Sequence, residues 1–189
     1  MSLMSELDLV ELVSPDGVAI GSSTVADAHT ADGLLHRAFS VLLFDGPERT
    51  LLQRRAKSKT RFPLKWANAC CGHPVPGEPV IDAATRRLFE ELGVREVDLV
   101  EVGVYPYHAE DRSTGRVERE YDHVLVGRVP ADVVMAPDGA EVAATRWVAV
   151  SELRAALDGS EGDTDHAPWL RGVLRVALDA GVISGLSEQ

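Results

Sequence analysis

The chain has 189 residues, 45% of them apolar, which is the composition of a globular protein of single-domain size. Its 19 basic and 30 acidic residues give a net charge of −11, which argues against a protein that coats nucleic acid or an anionic membrane. No apolar run is long enough to cross a bilayer, and the two cysteines are neighbours, Cys70 and Cys71, which excludes a framework of structural disulfides. We therefore expect one cytoplasmic domain, 1–189, that is a monomer or a weak homodimer.

The order of the predicted elements indicates the fold class. A partly alternating segment is followed by a turn of Ser, Pro, Asp and Gly at 14–17, where a hairpin opens. Strands are predicted at 7–13, 38–45, 51–53, 97–107, 117–129 and 141–150, with a polar loop at 110–115. Helices are predicted at 79–92, at a short segment capped by Ser151, and at 168–180. This order predicts an α/β (α+β) domain in which a mixed sheet packs against helices.

The central helix has a clear beginning, face and end. Pro79 suits its first turn, and Gly93 suits a C-cap. Four apolar residues at helical spacing form the face that we expect to be buried: Ile81, Ala84, Leu88 and Leu92.

A cluster of basic residues precedes this helix. Six of the twelve residues at 54–65 are basic, although the chain as a whole is acidic: Arg54, Arg55, Lys57, Lys59, Arg61 and Lys65. A solvated loop is the ordinary explanation of such a run. The alternative is a clamp for a small polyanion, since the cluster is too short to favour nucleic acid.

Three groups of residues could carry chemistry. Cys71 and His73 project to one side of an extended segment, and Glu118, Glu120 and Asp122 share one face of the predicted strand at 117–129. Acids in this pattern usually lie in solvent, but if buried together they need a cation or a proton between them. His29 and His36 complete the set, because imidazole with carboxylate suits Mn²⁺, Zn²⁺ or Fe²⁺.

Residues 72–94 carry a longer motif. The run Gly72-x5-Glu78-x7-Arg86-Arg87-Leu88-Phe89-Glu90-Glu91-Leu92-Gly93-Val94 resembles the Nudix box, which holds divalent metal against a diphosphate. One position departs from the box, because Arg87 stands where Nudix hydrolases have a metal-binding Glu. A guanidinium removes a ligand and adds a phosphate clamp, so hydrolysis is disfavoured. The ordinary alternative is an exposed Arg87 paired with Glu91 one turn along.

Taken together, several segments resemble the type 1 isopentenyl-diphosphate isomerases of the Nudix superfamily. The resemblance covers about residues 7–170, with a motif-bearing core at about 27–170. The segments that carry it are AHTADGLLHRAFS at 28–40, WANACCGHP at 66–74, EELG at 90–93 and ERE at 118–120.

The resemblance implies a Nudix fold, a sheet sandwiched between helices, and a role for each matching residue. Cys71 and Glu120 would transfer the protons, and Tyr107 and Trp169 would be aromatic residues of the catalytic pocket. A Mn²⁺, Mg²⁺ or Zn²⁺ ion would be bound by His29, His36, His73, Glu118 and Glu120. Glu91 would place a Mg²⁺ ion that also binds the substrate diphosphate, which Arg55, Lys59 and Arg87 would hold.

The implied reaction converts isopentenyl diphosphate into dimethylallyl diphosphate in isoprenoid biosynthesis. Two alternatives are a Nudix hydrolase of a nucleoside diphosphate derivative and a non-catalytic Nudix-like binding module. The hydrolase would need Glu at position 87, and the binding module would not need Cys71, Glu120 and three histidines together.

Overall fold

The computed structural model describes residues 5–159 and 165–181. Within these residues it contains nine strands, which form one curled sheet, and four helices. The strands are β1 Leu9–Val13, β2 Ala19–Thr24, β3 His36–Phe44, β4 Arg49–Arg55, β5 Trp66–Asn68, β6 Cys70–Gly72, β7 Leu99–Asp111, β8 Arg116–Arg128 and β9 Val142–Ala149. The helices are α1 Val25–Ala28, α2 Val80–Leu92, α3 Val150–Gly159 and α4 Leu170–Asp179. None of the helices in this described part has the length and apolar content needed to span a lipid bilayer.

Strand β3 organises the sheet. It lies parallel to β8 along its whole length and antiparallel to β1, β4 and β6, so the sheet is mixed. On one side of β3, the long β7–β8 hairpin extends the sheet. On the other side, β5 and β9 extend the sheet by pairing with β4. The predicted mixed sheet with helices packed against it is confirmed.

Alternation along β3 divides the interior into two cores. Phe39, Val41 and Leu43 belong to a core that includes the buried face of α2. Leu42 and Phe44 point the other way, into a core with α3 and α4. The sheet is therefore sandwiched between helices, because successive side chains of a buried strand point to opposite faces.

Helix α2 ends where the sequence predicts. Gly93 adopts the left-handed conformation, with φ of 70°, and its N–H donates to the Phe89 carbonyl. The predicted buried face is wrong at Ile81, which lies in the first turn and is 42% exposed. Two charged residues, Arg87 and Glu91, are buried on this helix instead. They can be buried because they pair with each other, which compensates for their removal from water.

Several predicted boundaries differ from the structure. Strand β7 continues to Asp111, so the predicted loop at 110–115 shrinks to 112–115, because β7 and β8 keep pairing up to Asp111 and Arg116. Ser151 lies inside α3, which begins one residue earlier. Three short elements lack a predicted counterpart, α1, β5 and β6, whereas β2 is the second strand of the hairpin predicted to open at 14–17.

Candidate active site

Three histidines and two glutamates converge at one end of the β3–β8 pair. His36 is the first residue of β3 and pairs with Glu120 on β8, while His29 follows α1 and His73 follows β6. His29 Nε2 lies 2.9 Å from Glu118 Oε2, and His73 Nε2 lies 2.9 Å from Glu120 Oε1. One ligand atom from each of the five residues lies within 4.8 Å of every other, and all five residues are buried. This is the size and donor set of a divalent metal site.

The outer nitrogens of two of the rings orient the cluster. His29 Nδ1 lies 2.6 Å from the Val25 carbonyl, and His36 Nδ1 lies 2.7 Å from the Leu34 carbonyl. A carbonyl can only accept, so each Nδ1 carries a proton, and in the neutral form of each ring Nε2 presents a lone pair to the centre. Within the described part of the chain, His29 Nε2 and Glu118 Oε2 have no hydrogen-bond partner of acceptable geometry despite facing each other. Two facing lone pairs in a buried site fit a bound cation.

The local electrostatics support the same conclusion. Burial lowers the pKa of His73 to about 4, so the ring is neutral at pH 7, which is the state in which an imidazole binds a metal ion. Burial opposes ionisation of Glu120, but the neighbouring rings of His36 and His73 outweigh it and hold the carboxyl pKa well below its ordinary value. Glu118 is likewise held below its ordinary pKa, against burial and the charge of Glu120, by Arg61 and His29.

The two cysteines point to opposite sides of the sheet. Cys70 packs in the core beneath α2, whereas Cys71 faces the cavity described below. The Cys71 thiol donates to Asn68 Oδ1 at 3.2 Å and lies 3.8 Å from Ser40 Oγ, whose hydroxyl also donates to Asp122 Oδ2 at 2.7 Å. Burial raises the pKa of Cys71 to about 12, so it is a thiol at neutral pH.

An aromatic wall stands beside the thiol. Tyr107 donates its hydroxyl to Glu120 Oε2 at 2.6 Å, and its ring stacks on Trp169 with centroids 5.8 Å apart. Burial and the charge of Glu120 raise the Tyr107 pKa well above its ordinary value, so the phenol stays protonated. Phe62 meets the indole edge to face at 5.4 Å, and the indole N–H donates to Asn68. These contacts give the site an apolar side of fixed orientation.

A charged group lies at the other end of the site. Arg87 Nη2 lies 2.6 Å from Glu91 Oε1 and 3.2 Å from Glu141 Oε1, and Glu141 also pairs with Lys59. The second oxygen of Glu91 accepts from Gln53 Nε2 at 3.0 Å. Burial lowers the pKa of Arg87, but the neighbouring carboxylates, Glu91 foremost, outweigh burial and raise the pKa above its ordinary value. The cations of this group are therefore neutralised by neighbouring carboxylates, among them Glu90, which lies 2.8 Å from Arg87 Nη1.

Arg55 and Arg61 connect the charged end to the aromatic wall. The Arg55 guanidinium donates to the carbonyls of Arg61 and Phe62 and lies 5.4 Å from the centroid of the Trp169 ring. Arg61 in turn donates from Nε to Glu118 Oε1 at 3.0 Å. The basic loop is thus folded over the site, and the interpretation of 54–65 as merely a solvated loop is wrong at these two residues.

One cavity of about 250 Å³ joins these groups. Cys71, His73, Glu118 and Glu120 line one part of it, and Arg55, Lys59, Arg87 and Glu141 line another. Tyr107 and Trp169 form its aromatic side. The structure therefore brings the two predicted proton-transfer residues and the three predicted diphosphate-binding residues to one cavity.

Glu91 is the predicted metal ligand that lies apart from the others. It is 1% exposed and belongs to the Arg87 group rather than to the five-residue cluster. The ordinary interpretation of the acids on β8 as a solvated face is wrong, because Glu118, Glu120 and Asp122 are all buried. Arg87 pairs with Glu91, as that alternative proposed, but it is 3% exposed rather than in solvent.

Sequence reasoning did not assign site roles to Asn68 and Glu141. Asn68 lies in the segment WANACCGHP, so its place three residues before Cys71 is a usable signal. Glu141 carries no local signal, because its partner Lys59 lies 82 residues away.

Comparisons with known proteins agree with this geometry. The model of the NUDIX domain family matches residues 34–170. An isopentenyl-diphosphate Delta-isomerase from Nocardia farcinica is 56% identical over 168 residues, covering 89% of this chain and 93% of that protein. A protein of the same name from Streptomyces coelicolor is 49% identical over 176 residues, covering 93% and 86%.

Solved structures agree in fold. A crystal structure from Deinococcus radiodurans aligns with a TM-score of 0.70 at 18% identity, covering 89% of this chain and 98% of that one. A MutT protein from Methanosarcina mazei aligns with a TM-score of 0.59 at 18% identity, covering 77% and 94%. The fold is therefore the Nudix fold, and at the level of sequence the chain belongs to the isopentenyl-diphosphate Delta-isomerases of the NUDIX family.

Proposed function

We propose that the protein converts isopentenyl diphosphate into dimethylallyl diphosphate, the reaction that the names of its relatives describe. The observation that carries the proposal is the shared cavity, in which the Cys71 thiol and the Glu120 carboxylate accompany a cationic end and an aromatic wall. Such a cavity suits a small diphosphate with an apolar tail.

The chemistry explains why these groups are needed together. The substrate alkene is unactivated, so a proton must be added to its terminal carbon, and the electron pair of the double bond forms the new C–H bond. The product of that step is a tertiary carbocation, which water would trap. Removal of a proton from the carbon on the other side returns an electron pair as the new double bond. The site therefore needs an acid, a base, a dry cavity and an electron-rich wall.

Each requirement has a candidate among the lining residues. Cys71 and Glu120 are the acid and the base, and Tyr107 holds Glu120 by the hydrogen bond to Oε2. The indole of Trp169 faces the reacting carbons and stabilises positive charge by about 2 kcal/mol when desolvated. Trp169 is almost fully buried and Phe62 packs against its ring, so this side of the cavity is apolar.

The charged end holds the diphosphate. Lys59 and Arg87 are paired with Glu141, so binding of the diphosphate exchanges a carboxylate partner for a phosphate. Arg55 contributes a third cation, and Glu91 would help to hold a Mg²⁺ ion that neutralises charge on the diphosphate. Because the diphosphate is remote from the bond that moves, gripping it positions the alkene between acid and base.

The five-residue cluster is the proposed site of a second divalent ion, Mn²⁺, Mg²⁺ or Zn²⁺. The donor set of three imidazoles and two carboxylates, with ligand atoms that face a common centre, fits such an ion. When bound, the ion supplies a fixed positive charge that orients the Glu120 carboxylate and lowers its proton affinity. His29, His36, His73 and Glu118 hold the remaining positions.

The cellular setting is part of the proposal. A reducing cytoplasm keeps Cys71 as the free thiol that the reaction needs. We propose a monomer or a weak homodimer that binds neither nucleic acid nor membrane, and that folds as one domain over 1–189. Light scattering across a concentration series measures the oligomeric state.

The decisive assay offers the purified protein isopentenyl diphosphate and, separately, nucleoside diphosphate derivatives. We expect conversion of the former to dimethylallyl diphosphate and no phosphate release from the latter. Cys71→Ala and Glu120→Gln should each lose most of the turnover while the protein stays folded. Cys70→Ala is the matched control, because that side chain lies on the other face of the sheet. Turnover of the nucleotides alone would instead establish the hydrolase.

A further inference from the structure

Asn68 lies behind the cavity and contacts two of the side chains that line it. It is the last residue of β5, it is fully buried, and it contacts Cys71 and Trp169, which both line the cavity. Cys71 is a local contact, three residues along the chain, whereas Trp169 is 101 residues away. Asn68 is therefore placed to set how the thiol and the indole lie relative to each other.

The hydrogen bonds fix which way the amide points. Asn68 Nδ2 donates to the carbonyls of Val41 at 3.1 Å and Cys70 at 2.8 Å, and a carbonyl can only accept. The amide oxygen must therefore face the opposite side, where it accepts from Cys71 Sγ at 3.2 Å and from the Trp169 indole N–H at 3.0 Å. One oxygen thus receives both donors, and the backbone of two strands holds that oxygen in place.

Resting on the function proposed above, we propose that Asn68 is a positioning residue for the isomerisation. It holds the Cys71 thiol and the Trp169 indole in a fixed relation around the reacting carbons. Its contacts lie away from Lys59 and Arg87, so it should act on turnover rather than on the binding of the diphosphate.

The kinetic test compares two substitutions with a matched control. In Asn68→Ala the shared acceptor is lost, and we expect kcat to fall by about 10- to 100-fold, since small misplacements of reacting groups have effects of this order. KM should stay within about twofold because the diphosphate contacts remain. Asn68→Asp keeps an acceptor oxygen of the same reach, and its kcat should lie between those of Asn68→Ala and the wild type. Thr50→Val, which removes another buried hydrogen bond, to the Leu43 carbonyl on β3, should leave kcat unchanged.

A spectroscopic test does not depend on activity. The ¹H–¹⁵N spectrum should show three indole N–H signals, from Trp66, Trp147 and Trp169, which Trp169→Phe assigns. We expect the Trp169 signal to be protected from exchange with solvent in the wild type, and to shift and exchange faster in Asn68→Ala while the other two stay unchanged.

The outcomes separate this inference from the proposed function. Wild-type isomerisation with an unchanged kcat in Asn68→Ala would overturn the inference and leave the function standing. An inactive wild type would refute the function, and the indole signal would then still test the contact. If Asn68→Ala does not fold, the wild-type protein still provides a test through the Trp169 indole N–H. Exchange of this proton as fast as in free indole overturns the inference, and protection from exchange supports it.

Discussion

Removal of the Tyr107 hydroxyl should show how much the orientation of the Glu120 carboxylate contributes to turnover. Tyr107→Phe deletes the hydrogen bond from the phenol to Glu120 Oε2, 2.6 Å long, and retains the ring that stacks on Trp169. A hydrogen bond to a charged group contributes about 1.5–3 kcal/mol. If that energy orients the carboxylate for proton transfer, its loss lowers kcat by about 10- to 150-fold. KM for isopentenyl diphosphate should change little, because the cationic end is untouched.

The assay is steady-state formation of dimethylallyl diphosphate, with circular dichroism as a check of folding. Tyr105→Phe is the matched control, because it removes an equivalent hydroxyl from the neighbouring ring. The centroid of that ring lies 5.7 Å from the centroid of the Tyr107 ring, on which it stacks. We expect the control to retain wild-type kcat. A wild-type kcat in Tyr107→Phe, or an equal loss in both variants, would refute the assignment of Tyr107 as the residue that orients Glu120.

Three further outcomes test the metal site and the fold. Chelation should abolish activity and Mg²⁺ should restore it, whereas full activity in excess chelator would contradict a role for a metal ion. His36→Ala should lower the amount of tightly bound metal measured by mass spectrometry. Glu11→Gln should lower the free energy of unfolding at pH 7 by about 1 kcal/mol, since hydrogen bonding with Arg37 outweighs burial and holds the Glu11 pKa below 4.5. A carboxyl whose pKa is lowered on folding stabilises the fold at pH values above its unfolded pKa. The difference in free energy of unfolding between the wild type and Glu11→Gln, measured by urea denaturation, should therefore shrink below pH 4.5 and vanish at lower pH. A difference that stays constant with pH would exclude this cause. Gly93→Ala should cost about 1–2 kcal/mol in the same assay, because φ is 70° and a Cβ atom would lie 3.0 Å from that of Ala136; an unchanged midpoint would refute the strain.

Local pattern predicted two of the elements that carry the site, β8 and α2. The twofold period of a strand puts Glu118, Glu120 and Asp122 on one face, and the structure buries that face on β8. The same period separates Cys70 from Cys71, which explains why the neighbouring thiols belong to different cores. The helical period and the glycine C-cap similarly define α2, whose end at Gly93 was predicted.

Long-range pairing is what the sequence could not reveal. Strands β5 and β6 have three residues each, too few for a period to be recognised, yet they place Asn68 and Cys71. Glu141 looks like the start of an ordinary strand, and only folding brings it to Lys59 and Arg87. Ile81 fits the apolar stripe of α2 but is exposed, because the tertiary contacts of each turn, and not the period alone, decide burial.

The central claim is that Cys71 and Glu120 exchange protons with the two ends of a moving double bond. The most direct measurement is turnover of isopentenyl diphosphate in deuterated water, with the product analysed by mass spectrometry and NMR. We expect deuterium on carbon in dimethylallyl diphosphate for the wild type, and the loss of that label in Cys71→Ala and in Glu120→Gln. Product formed without deuterium, or label retained at the wild-type rate in both variants, would contradict the account.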